Sequence, residues 1–283
     1  QKSYDIAIAY ELNWCLNYLV RYVDAKVKLA WQHNDYEAIG FDYRVDRKAF
    51  HAVDGLVFVS PRCRDKFAKA HQELAKKCFY VPNVLLPAAI RRQSQEPVEL
   101  PFAKNGNMLT LISVSRIQFA TKGLDRGVEV FARLRGDGLL DRVRWLIIGK
   151  GKDSDRLQAM IKENGLENSI FWIGLKENPF PYMKACDALF LPSRNEGKPL
   201  VVTEAQILGL VPLVARYTSA EEQIAHGVDG LIFENQIDVI YRGIRDIVRN
   251  PQQLEGLRVN LQNRSFSDEA GLKEFEQMVD ALR

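Results

Sequence analysis

The stretch Asp187-Ala-Leu-Phe-Leu-Pro-Ser-Arg-Asn-Glu-Gly-Lys-Pro-Leu-Val-Val-Thr-Glu204 decides the reading of this chain. Residues 187–191 are a short apolar run closed by Pro192, the pattern of a buried strand. Residues 199–208 read as a helix, with Pro199 in the first turn and Gly209 just past the end. Outward from this strand, loop and helix the alternation continues. Residues 109–114, 143–148, 169–173, 211–215 and 230–233 read as further strands. Helices are expected over 123–134 (Leu124, Val128, Phe131 and Leu134 on one face), 154–162 with Ser154 as N-cap, 182–185, 220–225, and 237–248 (Ile237, Ile240, Ile244 and Ile247 on one face). Regular alternation of this kind gives an α/β fold with a parallel sheet covered on both faces, and such sheets bind ligands at the carboxyl ends of their strands.

The first ninety residues alternate more briefly, with strands expected at 4–10, 27–31, 55–59 and 78–81. The polar stretch 91–106 contains Pro97 and Pro101 and shows no periodicity, as a linker would. The chain therefore divides into a first lobe over 1–91, a linker over 92–107, a second lobe over 108–265 and a closing helix over 266–283. That helix carries Leu272, Phe275, Met278 and Val279 on one face.

Composition sets outer bounds. The 283 residues are 47% apolar and 27% charged, an ordinary globular balance long enough for two cores. A formal net charge of +3 is too small to argue for nucleic acid. It is compatible with a phosphorylated substrate or a weak membrane-surface contact, and the basic residues between Lys66 and Lys77 fit either such a contact or a solvated helix face. Cys15, Cys63, Cys78 and Cys186 form no C-x-x-C pair, which favours reduced thiols in a cytoplasm over a disulfide scaffold. His33, His51, His71 and His226 do not fall at metal-ligand spacing. No apolar run approaches the roughly 18 to 20 residues that span a bilayer.

Two carboxylates frame the expected helix at Pro199. Glu196 lies in the loop before it, and Glu204 lies roughly 7 to 8 Å along the axis from the first turn, a length that resembles a diphosphate. The free amides near Lys198 to Val201 form an anion site, and carboxylates at either end would accept hydrogen bonds from sugar hydroxyls. Read alone, Glu196 is equally a solvated loop residue and Glu204 a carboxylate favouring the helix dipole. Arg116 and Lys122 follow the strand 109–114 and so belong at the same carboxyl edge. A guanidinium fork and an ammonium there suit phosphate oxygens, although a pair of surface cations has the same sequence.

Together, Ser115-Arg116, Lys122-Gly123, Gly149-Lys-Gly151, Ile173-Gly174, Asp187, Leu191-Pro-Ser193, Glu196-Gly197 with Pro199, and Glu204-Ala205 with Gly209 resemble the retaining group 1 glycosyltransferases of GT-B architecture, densely over residues 108–250. The resemblance implies two Rossmann-like lobes, an N-terminal acceptor lobe and a C-terminal lobe for a nucleotide-sugar donor. It implies that Glu196 binds sugar hydroxyls, Glu204 the ribose, and Arg116 and Lys122 the diphosphate. Amides at Lys198, Pro199 and Leu200 would approach sugar and phosphate, and Ile173 and Gly174 would line the base pocket. His33, in Trp31-Gln-His-Asn-Asp35, falls where the family places a histidine facing the donor sugar. The implied reaction transfers a hexosyl or N-acetylhexosaminyl group from a nucleotide-diphosphate sugar, UDP by family frequency, to a saccharide or lipid-linked saccharide acceptor. It proceeds with retention and without a divalent metal or other cofactor, in the cytoplasm or on the inner face of the plasma membrane, in the making of cell-envelope polysaccharide.

Two motifs point elsewhere. Gly149-Lys-Gly151 lacks the third glycine of a dinucleotide fingerprint, since Ser154 stands there. Asp153-Ser-Asp155 resembles a two-aspartate metal motif but sits at a helix start, where aspartates cap. Nothing matches the glycine-rich loop that opens the family's acceptor lobe, so the first lobe reads as truncated. An N-terminal segment missing from this chain, or self-association through an exposed face of the last helix, would follow. Two other activities stay open: a nucleotide-sugar epimerase of the same fold, and a catalytically silent nucleotide-sugar-binding fragment.

Overall fold

The computed structural model describes residues 2–12, 14–104, 106, 108–267 and 269–282. Gln1 and Asn13 of the first lobe, Asn105 and Asn107 of the expected linker, and Asp268 and Arg283 of the expected last helix lie outside the described residues. The chain divides into two compact units. The first comprises Gln1–Leu85, Asn195–Lys198 and Ser267–Arg283, and the second Leu86–Arg194 and Pro199–Phe266.

The first unit contains β1 (Ser3–Ala9), α1 (Trp14–Tyr22), β2 (Asp24–Gln32), α2 (Tyr43–Ala52), β3 (Gly55–Phe58), α3 (Pro61–Ala70) and β4 (Cys78–Tyr80). The second contains α4 (Pro87–Gln93), β5 (Leu109–Val114), α5 (Phe119–Lys122), α6 (Leu124–Gly136), β6 (Val143–Ile148), α7 (Ser154–Glu163), β7 (Ile170–Trp172), α8 (Phe180–Ala185), β8 (Ala188–Leu191), α9 (Leu200–Ile207), β9 (Val211–Ala215), α10 (Ala220–Gln223), β10 (Leu231–Phe233), α11 (Ile237–Arg249) and α12 (Gln253–Gln262). The last helix, α13 (Glu269–Leu282), belongs to the first unit.

In the first unit the four strands run parallel in the order β1-β2-β3-β4. Side chains alternate across the pleat, so β2 feeds two cores. Ala30 joins Leu56, Phe58, Phe50 and Phe67 on one face. Leu29 and Trp31 join Val57, Val59 and Met278 on the other, with Phe275 and Val279 of α13 packed against them. The face of the last helix expected to lie open is therefore largely used within this unit, and Leu272 alone of the four named residues is exposed. Ser60 caps α3 by accepting from the Cys63 amide, and Pro61 occupies the first turn. Two of the basic residues near α3 are engaged: Lys66 Nζ donates to both oxygens of the buried Asp35, and Lys77 Nζ donates to the carbonyls of His51 and Val53.

The second unit is a six-stranded, all-parallel sheet in the order β10-β9-β8-β5-β6-β7. Strands buried on both faces read as nearly continuous apolar runs: β8 and β9 are apolar throughout, and β5 and β6 are interrupted only by Thr110, Ser113 and Arg144. One face packs Leu111, Trp145, Ile147 and Phe190 under α6, α7, α11 and α12. The other packs Ile112, Leu146, Leu189 and Val214 with Met183 of α8 and Val202 and Ala205 of α9.

Several boundaries differ from the sequence reading. α4 runs into the stretch expected as linker, because its Ile90 is buried. Pro199 is the N-cap of α9, not a residue of its first turn, with ψ of 123°. Ser154 does not cap α7: its Oγ accepts from the Gly151 amide, and Asp153 holds the cap position without a side-chain bond to its own helix.

Candidate donor-binding site

In the second unit the chain fills the sheet outward from β5 in one direction with β6 and β7, then crosses over to lay down β8, β9 and β10 on the other side. The strand order reverses between β5 and β8, and in sheets of this kind ligands bind at the carboxyl ends of the strands that flank such a reversal. Arg116 and Lys122 follow β5, and the chain from Pro192 toward α9 follows β8.

Arg116 is exposed and Lys122 half-buried at the end of α5. Gly123, with φ of 62°, makes the junction to α6, and a Cβ there would stand 2.2 Å from the Pro192 carbonyl oxygen. Only glycine tolerates both the conformation and the approach. Arg194 ties the same two loops together. Its amide donates to the Thr121 carbonyl at 2.8 Å. Its guanidinium donates to the Phe119 carbonyl at 2.7 Å and forms a fork with Asp125, both N···O distances being 2.7 Å. Asn235 then donates to the Arg194 and Arg216 carbonyls. Lys122 thus stands on a turn fixed from two sides.

The two motifs set aside from other chemistries have packing roles here. A Cβ on Gly149 would lie 1.8 Å from the Ser115 carbonyl oxygen, and one on Gly151 would lie 2.2 Å from that of Ile117. These glycines let the loop after β6 rest on the loop after β5. Asp153 Oδ2 accepts from the Phe119 amide at 2.7 Å, so this aspartate holds the start of α5. Among the described residues, no group of three His, Cys, Asp or Glu stands close enough to hold a metal ion. Ile173 and Gly174 follow β7 and meet the loop after β6, where the Gly149 amide donates to the Gly174 carbonyl and Trp172 Nε1 to the Gly149 carbonyl.

α9 begins after Pro199, which offers no side-chain cap; the Val202 amide donates to the Pro199 carbonyl at 3.2 Å, and the amides of Leu200 and Val201 precede it at the helix start. One turn further, Glu204 is half-buried, and its carboxyl group has no hydrogen-bond partner among the described residues. Burial pushes its pKa up to about 7. A carboxyl group raised in this way binds its proton more tightly in the folded chain than in the unfolded one. Its unfavourable contribution is therefore absent below the ordinary Glu range and grows as pH rises toward 7. Glu204→Gln is expected to raise the melting temperature at pH 8 and leave it unchanged at pH 4. An equal shift at both values would remove burial as the cause.

Glu196, Lys198 and His33 group with the first unit. Glu196 is 5% exposed. A Cβ on Gly197 would stand 2.1 Å from the His33 carbonyl oxygen, which places this loop's backbone against residues 33 and 34. Lys198 Nζ lies 5.5 Å from the centre of the Tyr80 ring. His33 Nε2 lies 2.8 Å from the Tyr10 carbonyl oxygen, and burial lowers its pKa. Since that oxygen only accepts, Nε2 carries the proton, and in the neutral ring Nδ1 is an acceptor.

The structure thus brings Arg116, Lys122, Pro199, Leu200, Glu204, Ile173 and Gly174 into the second unit, on or just beyond the carboxyl ends of its strands. Arg194, Asn235 and Gln223 were not singled out by sequence. Most of their partners lie far off in the chain, and no local periodicity marks them.

Residues 96–265 match the family model of glycosyl transferases group 1. The chain belongs to this family. An uncharacterized glycosyltransferase of Methanocaldococcus jannaschii is 24% identical over 224 residues, covering 78% of this chain and 54% of that protein. The N-acetylgalactosamine-N,N'-diacetylbacillosaminyl-diphospho-undecaprenol 4-alpha-N-acetylgalactosaminyltransferase of Campylobacter jejuni is 25% identical over 212 residues, 74% of this chain and 53% of the relative. Anabaena HepE, solved in complex with UDP and glucose, superposes with a TM-score of 0.71 at 19% identity, covering 90% of this chain and 71% of that one. At that identity the likeness is one of fold: this group 1 glycosyl transferase has the α/β, parallel-sheet GT-B architecture. The chain spans about half the length of the curated relatives it matches. Among its described residues no helix is long and apolar enough to cross a membrane.

Proposed function

We propose that the second unit binds a nucleotide-diphosphate sugar, with UDP as the nucleotide, and that the chain serves in transferring its hexosyl or N-acetylhexosaminyl group to a saccharide or lipid-linked saccharide acceptor. One observation carries this reading: α9 starts after β8, at the β5–β8 reversal, without a side-chain cap from Pro199, and one turn behind its start stands a half-buried carboxyl group that has no hydrogen-bond partner among the described residues. The first amides of α9 and the helix dipole suit a pyrophosphate, and Glu204 suits ribose hydroxyls. Family membership and the UDP held by HepE support the choice of ligand.

In the proposed reaction the acceptor hydroxyl oxygen bonds to the anomeric carbon on the face the diphosphate leaves. The C–O bond to phosphate breaks, its electron pair goes to the diphosphate, and the hydroxyl proton ends on that leaving group. Configuration is retained. Arg116, Lys122 and the α9 amides stabilise the departing charge, so no divalent metal is required. Glu196 and the neutral His33 are assigned to sugar hydroxyls. A thermal-shift panel of nucleoside diphosphates and their sugars tests the reading: UDP and a UDP-sugar should raise the melting temperature without added metal. Failure of every member of the panel to do so would overturn it.

A further inference from the structure

The start of α9 has no cap of its own, yet it must hold a fixed height and rotation if its amides are to meet a ligand. Its support comes from behind. Gln223, the last residue of α10, is 4% exposed. Its Nε2 donates to the Pro199 carbonyl at 3.1 Å and to Thr203 Oγ1 at 3.0 Å. Its Oε1 accepts from the Tyr217 hydroxyl at 2.8 Å. A carbonyl oxygen can only accept, so the contact with Pro199 fixes which end of the amide faces α9. The Gln223 backbone carbonyl accepts from Gln206 Nε2, also on α9, at 2.8 Å and from Arg264 Nη1 at 2.9 Å. Arg264 is in turn paired with Asp229 at 2.7 Å. One buried glutamine thus grips α9 at its cap, in its first turn and at its far end.

We infer that Gln223 is a positioning residue of the donor site, which sets where the first amides of α9 point. The inference rests on the donor-site reading above. Glutamine suits the task because a single amide nitrogen reaches two acceptors while its oxygen is held by Tyr217. Glutamate would oppose its charge to the Pro199 carbonyl, and methionine would fill the space without donating.

The test is UDP binding to the 283-residue chain by calorimetry, with the fold followed by circular dichroism. Gln223→Met should weaken UDP binding by about tenfold or more while the spectrum is kept, because a mouth that wanders loses aligned donors. Tyr217→Phe, which keeps the ring and loses only the hydroxyl, should weaken it in the same direction by a smaller factor, and it carries the test if Gln223→Met does not fold. A purely structural role would lower the melting temperature of both variants and leave the UDP dissociation constant within twofold of wild type; that result overturns the inference. If the wild-type chain binds no UDP, the donor-site reading falls and this inference falls with it.

Discussion

Lys122→Ala is expected to lower the turnover of donor cleavage by about 10² or more, with UDP affinity reduced far less. The reasoning concerns when charge develops. In the bound donor the diphosphate is already anionic, but breaking the anomeric bond adds charge to its terminal oxygen, and a cation placed for that moment lowers the barrier more than it tightens binding. Lys122 is half-buried, so its field is less screened than that of the exposed Arg116. It also stands on a turn held by the Gly123–Pro192 approach and by Arg194, which removes the need to reorganise during reaction. Arg116→Ala should therefore cost less than Lys122→Ala. The measurement is the initial rate of UDP release from a UDP-sugar, with water as acceptor where no saccharide acceptor is in hand. A near-wild-type rate in Lys122→Ala would remove it from the chemistry, and a loss confined to the donor KM would make it a binding residue only.

How far sequence carries such an assignment depends on where the information sits. Strands buried on both faces of a parallel sheet are predominantly apolar, so residues 109–114, 143–148 and 211–215 were readable to the residue. α1 was not, because its outward face carries Trp14, Tyr18 and Tyr22, all exposed, beside Arg21, which blurs the contrast between apolar and polar sides that marks a surface helix. α12 did carry a usable signal in the spacing of Leu254, Leu257 and Leu261, all buried, but it follows α11 without an intervening strand and breaks the expected alternation. Among the site residues, those after β5 and β8 were legible because the rule about carboxyl ends is one of topology. Arg194 and Asn235 act through bonds that span 69 to 75 and 19 to 109 residues, and Gln223 reaches α9 through bonds that span 20 to 24, so nothing local distinguishes them from surface polar groups. The grouping of Asn195–Lys198 with the first unit was equally invisible, since it depends on Gly197 leaving room for the His33 backbone.

Trp145→Ala is expected to destabilise the second unit by about 3–5 kcal/mol, a large share of what a domain has to lose. Trp145 is fully buried in β6, stacked on Phe131 of α6 with ring centres 5.5 Å apart and edge-on to Phe190 of β8 at 5.3 Å. Its Nε1 donates to Ser113 Oγ at 2.9 Å, and that hydroxyl donates onward to the Phe190 carbonyl. The indole therefore joins β5, β6 and β8, the strands flanking the reversal where the donor is proposed to bind. α6 also depends on it. Gly127 lies so close that a Cβ would stand 2.2 Å from the ring, so the indole packs directly on the backbone of this helix. Loss of the ring thus leaves a cavity that the surroundings close only in part. Trp145→Phe should cost less, since it keeps most of the ring and loses the bond to Ser113. Urea unfolding followed by circular dichroism, with separate transitions fitted if the two units melt apart, measures both. Saturating UDP should raise the midpoint of the second unit in either variant, because ligand binds the folded form alone. A loss below about 1 kcal/mol in Trp145→Ala would mean that the sheet at the reversal is held by something other than this indole.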